Sequence, residues 1–248
     1  MPCHTSSLLF LLGGGRSPLY PPNKVILWDD AAGVEAAELE FRERVRGIAC
    51  RRGWLAVALR RRVVVFEVND TIARRAEYDT CDNSRGGSLS SRMLTTQDLH
   101  KPQGILAMAT AAYATLLAIP GRQMGHVQLV HLPPCVPPAP LGPPPSVPPS
   151  KPPPPPLKHP VSMIAAHEST LTTLSLPASG RFLATTSSRG TLVRIWDTSS
   201  GKLLREFRRG ADTAEIYGVA FRPDEKEVGV WSDKGTVHVF SLVSSGAS

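Results

Sequence analysis

The chain is poor in the features that mark whole classes of protein. Its four cysteines, Cys3, Cys50, Cys81 and Cys135, fall at no metal-ligand spacing and build no short disulfide framework, which fits a reducing cytosol. It has no long hydrophobic run. Leu8 to Leu12 is too short for a signal-peptide core and lacks a basic flank before it. The stretch from Ile105 to Ile119 is broken by threonines and a tyrosine and falls short of a membrane span. Any membrane contact is therefore expected to be peripheral. Catalytic signatures are also missing. Gly13-Gly14-Gly15 is followed by no Gly-Lys-Ser/Thr, so it is not a phosphate loop, and no nucleophile, base and orienter stand at suggestive spacing. The expectation is a protein that is not an enzyme and needs no cofactor or metal.

What is present suits a soluble globular protein of 248 residues, 42% hydrophobic and 20% charged. Aromatics make up only 6%, while the net charge of +7 points to an anionic partner: nucleic acid, a membrane surface or a phosphorylated ligand. A basic cluster at Arg42, Arg44, Arg46, Arg51, Arg52 and Arg60 to Arg62 opens a nucleic-acid reading. It lacks the interleaved aromatics that stack on bases, so no nucleic acid is expected as partner.

Internal repetition sets the architecture. Five short strands rich in β-branched residues recur: Lys24-Val-Ile-Leu-Trp-Asp29, Arg62-Val-Val-Val-Phe-Glu-Val68, Gly125-His-Val-Gln-Leu-Val-His131, Thr191-Leu-Val-Arg-Ile-Trp-Asp197 and Thr236-Val-His-Val-Phe240. The first two are offset by 38 residues and the last two by 45. A period of about 40–45 residues with Trp-Asp closing two strands marks the blade of a β-propeller. The fold class is all-β, a single WD-repeat propeller domain over 1–248 with about five recognisable blades.

The clearest unit has strands at Leu171–Leu176, Phe182–Thr186, Thr191–Asp197 and Lys202–Arg209, separated by turn residues. The next repeats it at Ile216–Phe221, Glu227–Ser232 and Thr236–Leu242. Earlier units are Val45–Cys50, Trp54–Leu59, Arg62–Val68 and Ile72–Tyr78, then Ile105–Thr110, Ala114–Ile119, His126–Leu132 and Val161–Ala165. The first retains Leu8–Leu12, Lys24–Asp29 and Glu35–Phe41 and lacks an inner strand. Alternatively, Leu8–Leu12 completes the final blade and closes a five-bladed ring. Residues 81–102 read as a mobile polar insertion. Residues 133–160 hold 16 of the 24 prolines and read as a disordered proline-rich loop inserted within a blade. Its Pro-x-x-Pro spacings offer a ligand to SH3 or WW domains, which supports an alternative reading as a protein–protein scaffold.

The tetrapeptide Phe207-Arg208-Arg209-Gly210 joins the last two units. Successive side chains of a strand point to opposite faces, so two adjacent arginines cannot easily share one anion. Each guanidinium fork matches a phosphate bidentately, and the pair suggests two phosphate sites. The alternative is a solvated charge pair on an edge strand. Hydroxyls and cations flank the pair on both sides: Thr185, Thr186, Ser187, Ser188 and Thr191 with His167 upstream, and Ser232, Lys234, Thr236 and His238 downstream.

These residues carry a resemblance to the PROPPIN family, the phosphoinositide-binding WD-repeat proteins of autophagy (WIPI in animals, SVP1-like in fungi). The matching stretches are the Phe-Arg-Arg-Gly motif itself, Gly13-Gly-Gly-Arg-Ser-Pro18, Pro22-Asn-Lys-Val25 with Trp28-Asp-Asp30, Ala166-His-Glu-Ser169, Arg208-Arg-Gly-Ala-Asp212 with Ala214-Glu-Ile-Tyr217, and Ser232-Asp-Lys-Gly-Thr-Val-His238. The resemblance implies binding of phosphatidylinositol 3-phosphate and phosphatidylinositol 3,5-bisphosphate on the rim. One site would use Arg208 with His167, Thr186, Ser187 and Thr191. The other would use Arg209 with Ser232, Lys234, Thr236 and His238. It further implies autophagy partners, including a lipid-transfer protein, and a cytoplasmic chain peripheral on vacuolar, endosomal and pre-autophagosomal membranes. Two departures stand out. Trp231 occupies a position where relatives carry a small or hydroxyl residue and is expected to reshape the second pocket. The family has seven blades and a long bilayer-inserting loop after the position of Ser248, so a chain truncated at both ends, with an open ring, is expected.

Overall fold

The computed structural model describes residues 7–13, 18–69, 71–83, 104–111, 114, 116–133 and 162–243. Within them eighteen strands form five antiparallel sheets and no helix. The first sheet holds β1 (Leu8–Leu12), β2 (Lys24–Asp29) and β3 (Val34–Glu40). The second holds β4 (Gly47–Arg51), β5 (Trp54–Ala58), β6 (Arg62–Val68) and β7 (Ile72–Asp79). In the third are β8 (Ala107–Met108), β9 (Leu116–Pro120), β10 (His126–His131) and β11 (Met163–Ala165). The fourth comprises β12 (Leu171–Ser175), β13 (Phe182–Ser187), β14 (Leu192–Asp197) and β15 (Leu203–Arg208). The fifth comprises β16 (Ile216–Phe221), β17 (Glu227–Ser232) and β18 (Val237–Ser241). Each sheet is a simple meander in chain order. β10 and β11 are neighbours in the third sheet although residues 132–162 separate them.

Strand parity explains the packing. Every residue of β5 is buried. Leu55 and Val57 join a cluster with Phe10, Val25 and Leu27 of the first sheet, whereas Trp54, Ala56 and Ala58 join one with Leu117 and Ile119 of the third. Alternate residues of one strand thus serve two neighbours, as a period of two requires. A third cluster joins the third and fourth sheets, and the last joins Ala184, Val193 and Ile195 of the fourth to Ile216, Val219, Val228 and Val230 of the fifth. Outer strands are exposed by contrast, β15 almost throughout. This is the stacking of a β-propeller.

No core cluster joins the fifth sheet to the first among the described residues, so the sheets form an open arc. β1 lies against β2, with Phe10 opposite Leu27. It builds the first sheet and does not complete the fifth, which excludes the five-bladed closure. The fifth sheet's far face carries Trp231, 40% exposed, Val237, 68%, and Val239, 63%. The Trp231 ring lies over Gly218, where a Cβ would come within 2.0 Å of it. Trp231 pairs with Gly218 and Val237 and points away from the fourth sheet. It therefore does not reach the second pocket, contrary to expectation.

Strand limits match the sequence reading closely, with one instructive exception. The first strand of the third sheet is only Ala107–Met108, not Ile105–Thr110. Asn83 captures Ile105 on both sides, accepting from its N–H at 2.8 Å and donating to its carbonyl at 3.1 Å. Those groups are then lost to the ladder.

Gly190, in the β13–β14 turn, has φ +63 and a Cβ there would meet the Ala214 carbonyl oxygen at 1.8 Å. It lets the fourth sheet's turn touch the segment that leads into the fifth. Gly190→Ala is expected to lower stability by about 2 kcal/mol or more, through the left-handed backbone and the collision together. Urea unfolding of the variant beside the parent measures this.

Candidate functional site

Two core contacts fix the direction of the arginine pair. Phe207 packs with the cluster between the fourth and fifth sheets and stacks on Phe240 of β18, centroids 4.7 Å apart and planes 10° apart. Arg209 follows two residues later and faces the same side. Arg208 and Glu206 face the third sheet. Each arginine thus addresses a different cleft, as the alternation predicts.

The two differ in environment. Arg208 is exposed and makes no side-chain hydrogen bond or ion pair with the described residues. Arg209 is 9% exposed and donates from Nε to the Gly190 carbonyl at 2.8 Å and from Nη2 to the Asp212 carbonyl at 2.6 Å. It ties the β13–β14 turn to the loop entering the fifth sheet. A guanidinium has five donors, so three N–H groups remain for a ligand.

On the fourth sheet's face toward the third, cross-strand rows run Leu183–Trp196, then Thr185–Arg194–Glu206, then Leu192–Arg208. Thr185 Oγ1 accepts from Trp196 Nε1 at 3.0 Å and lies 2.9 Å from His167 Nε2. Arg194 donates to Glu206 Oε2 and to the Ala166 carbonyl, each at 2.7 Å. Burial and then the positive charge of Arg194 push His167 down to about 4. The imidazole is neutral at pH 7 and brings no cation to a phosphate. Thr186 is fully buried on the opposite face, with its Oγ1 2.9 Å from Thr172 Oγ1. Among the residues expected around Arg208, Ser187 shares its face and Thr191 lies at the adjoining turn, its carbonyl accepting from the Arg209 N–H. His167 Nε2 and Thr186 Oγ1 are engaged within the framework.

The second group is more coherent. His238 lies opposite Val230, which faces the fourth sheet, and Ser232 and Thr236 share that parity. Thr236 Oγ1 is 3.2 Å from His238 Nε2, and the imidazole is stacked on Phe240, 9° from parallel at 6.2 Å. Ser232 is buried and accepts from the Lys234 N–H at 3.4 Å. The Lys234 ammonium is exposed, 4.0 Å from Asp233. Arg209, Ser232, Thr236 and His238 therefore face one cleft from its two sides, at the end of the sheets that carries the β13–β14 and β17–β18 turns. Sequence reading placed Thr185 only among the flanking hydroxyls and gave no role to Arg194, Asp212 or Phe240. The spacing of His167, Thr185 and Trp196 within one Trp-Asp unit was the available signal for the first.

Elsewhere the basic cluster is largely engaged. Arg60 pairs with Asp82, Arg62 with Glu43 and Glu77, and Arg51 donates to the Pro133 carbonyl. Two open grooves of about 430 and 500 Å³ lie between the second and third sheets, meeting at Tyr78, away from the arginine pair. The described residues hold no metal-binding cluster and no helix long and apolar enough to cross a membrane.

Residues 156–248, which span the fourth and fifth sheets and the arginine pair, match the PROPPIN family model. Over this stretch the chain is similar to the PROPPIN family. The chain is 34% identical over 237 residues to SVP1-like protein 2 of Emericella nidulans, covering 96% of this chain and 60% of that one. It is 31% identical over 238 residues to autophagy-related protein 18e of Arabidopsis thaliana, covering 96% and 52%. The chain thus spans little more than half the length of these curated relatives. Its fold matches Kluyveromyces lactis Hsv2 with a TM-score of 0.69 at 19% identity, over 98% of this chain and 61% of that structure.

The depressed His167 pKa predicts a pH dependence with a definite sign. The folded value, about 4, lies below the ordinary 6.5, so the unfolded chain binds the proton more readily. This contribution is complete above about pH 6.5 and is lost as pH falls toward 4, at up to about 1.4 kcal/mol per pH unit. Denaturant midpoints should drop across that window, and His167→Gln should flatten the drop.

Proposed function

We propose that this chain is a non-enzymatic phosphoinositide effector that docks peripherally on membranes through the rim of its fourth and fifth sheets. Its ligands are phosphatidylinositol 3-phosphate and phosphatidylinositol 3,5-bisphosphate. The first headgroup is received by Arg208, with Ser187 and Thr191 beside it. The second is received by Arg209, Ser232, Lys234, Thr236 and His238. The carrying observation is the exposed Arg208 guanidinium, which has no partner among the described residues at the mouth of one cleft, while Arg209 addresses the next. The match of residues 156–248 to the PROPPIN family model and the name of the Arabidopsis relative support a role in autophagy.

The physical chemistry is simple. A phosphate monoester offers several acceptor oxygens to charged donors, and charge-assisted hydrogen bonds are the strong ones. His167 and Thr186 serve the first site by holding its wall in place. Basic residues near an anionic leaflet add about 1 kcal/mol each, and the effect is screened by salt. The chain's charge of +7 supports such attraction. Recruited partners would be autophagy proteins, including a lipid-transfer protein, at vacuolar, endosomal and pre-autophagosomal membranes. The SH3 or WW ligand reading falls on residues 134–160, outside the described residues.

Flotation with phosphatidylcholine vesicles carrying phosphatidylinositol 3-phosphate tests the proposal. The parent should float with those vesicles and not with vesicles carrying unphosphorylated phosphatidylinositol. Arg208→Thr should weaken binding roughly tenfold or more, from loss of charge-assisted hydrogen bonds worth about 1.5–3 kcal/mol. Arg208→Thr/Arg209→Thr should abolish it. Equal flotation by parent and double variant would refute the headgroup reading.

A further inference from the structure

The wall of each cleft is braced differently. In the fourth sheet the row Leu183–Trp196 and the row Thr185–Arg194 support the hydrogen-bonded set of Trp196, Thr185 and His167. The same rows in the fifth sheet are Val228–Phe240 and Val230–His238. Phe240 stands where Trp196 stands and Val230 where Thr185 stands. Glu215, following Ala214, replaces His167, which follows Ala166. None of the fifth-sheet residues can rebuild the hydrogen-bonded set, because Phe240 and Val230 lack donors and acceptors in their side chains.

A column of three rings takes its place. Phe207 stacks on Phe240 at 4.7 Å, and Phe240 stacks on His238 at 6.2 Å, with all planes within 10° between neighbours. The column bridges the outer strands of two sheets. One end belongs to the Phe-Arg-Arg-Gly motif, two residues before Arg209, and the other end is His238. Ring stacking is directional and adds to simple burial.

We infer that Phe240 is a positioning residue for the second headgroup site, setting the plane of His238 and the separation of Arg209 from Thr236 and His238. The inference rests on the headgroup reading of that site. It gives the second site a brace that spans the two sheets, whereas the first site's brace lies within one sheet and the loop before it.

The experiment uses the full chain carrying Arg208→Thr, so that only the second site remains, and a short-chain soluble phosphatidylinositol 3-phosphate as probe. Isothermal titration should show Phe240→Leu weakening binding roughly two- to tenfold, the range of an aromatic pair, with Phe240→Tyr restoring it. Val228→Ala, in the same row and cleft, should lower thermal stability without changing affinity. In the parent's proton NMR spectrum, the His238 ring resonances should lie upfield through the Phe240 ring current and move downfield in Phe240→Leu. Unchanged affinity in Phe240→Leu, while Arg209→Thr abolishes binding, overturns the inference and leaves the headgroup reading standing. Unchanged affinity in Arg209→Thr as well removes the reading itself. Should Phe240→Leu fail to fold, His238 resonances at ordinary positions in the parent overturn the inference alone.

Discussion

The packing of half-buried Phe207 sets the geometry at the rim. Its ring is fixed in the junction between the fourth and fifth sheets by contact with Phe240. Once that side is chosen, the pleat of β15 sends Arg208 to one cleft and Arg209 to the other without further instruction. The orientation of two charged groups is thereby set by one apolar contact. Arg209 then acts on the backbone, drawing Gly190 and Asp212 together, and the positive φ of Gly190 makes that approach possible.

Much of this was visible in the residues alone. The sheets were legible because turn glycines, β-branched runs and Trp-Asp endings recur at blade spacing, and each strand's parity needs no tertiary information. Lys202–Arg209 was expected where β15 is Leu203–Arg208, a difference of one residue at each end. What stayed hidden was the partner of each polar atom. A histidine and a threonine near an arginine look alike whether they face a ligand or each other. His167 turned out to face Thr185, and Thr186 to face Thr172. That outcome depends on cross-strand rows, and the register shift between Leu171 and Thr173, where Thr172 meets Thr186, is one that no spacing announces. Asn83 was hidden for the same reason, since its hold on Ile105 crosses 22 positions of chain.

The two clefts also show how one repeat reaches similar geometry by unlike forces. Hydrogen bonds in the fourth sheet tie Trp196, Thr185 and His167 together, and burial keeps that imidazole neutral. Dispersion and ring electrostatics serve in the fifth, where Phe240 and Val230 stand at the positions of Trp196 and Thr185.

The uncovered face of the fifth sheet sets the solution behaviour of the chain as it stands here. Val237 and Val239 pair in β18 with the same parity that buries Val193 and Ile195 in β14, yet nothing described lies over them. Such a surface lowers its free energy by meeting another apolar surface, and the only opposing force is mutual repulsion between like-charged molecules. Colloidal stability of the isolated chain is accordingly a contest between that bare valine patch and a charge of +7, and raising ionic strength moves the balance toward self-association.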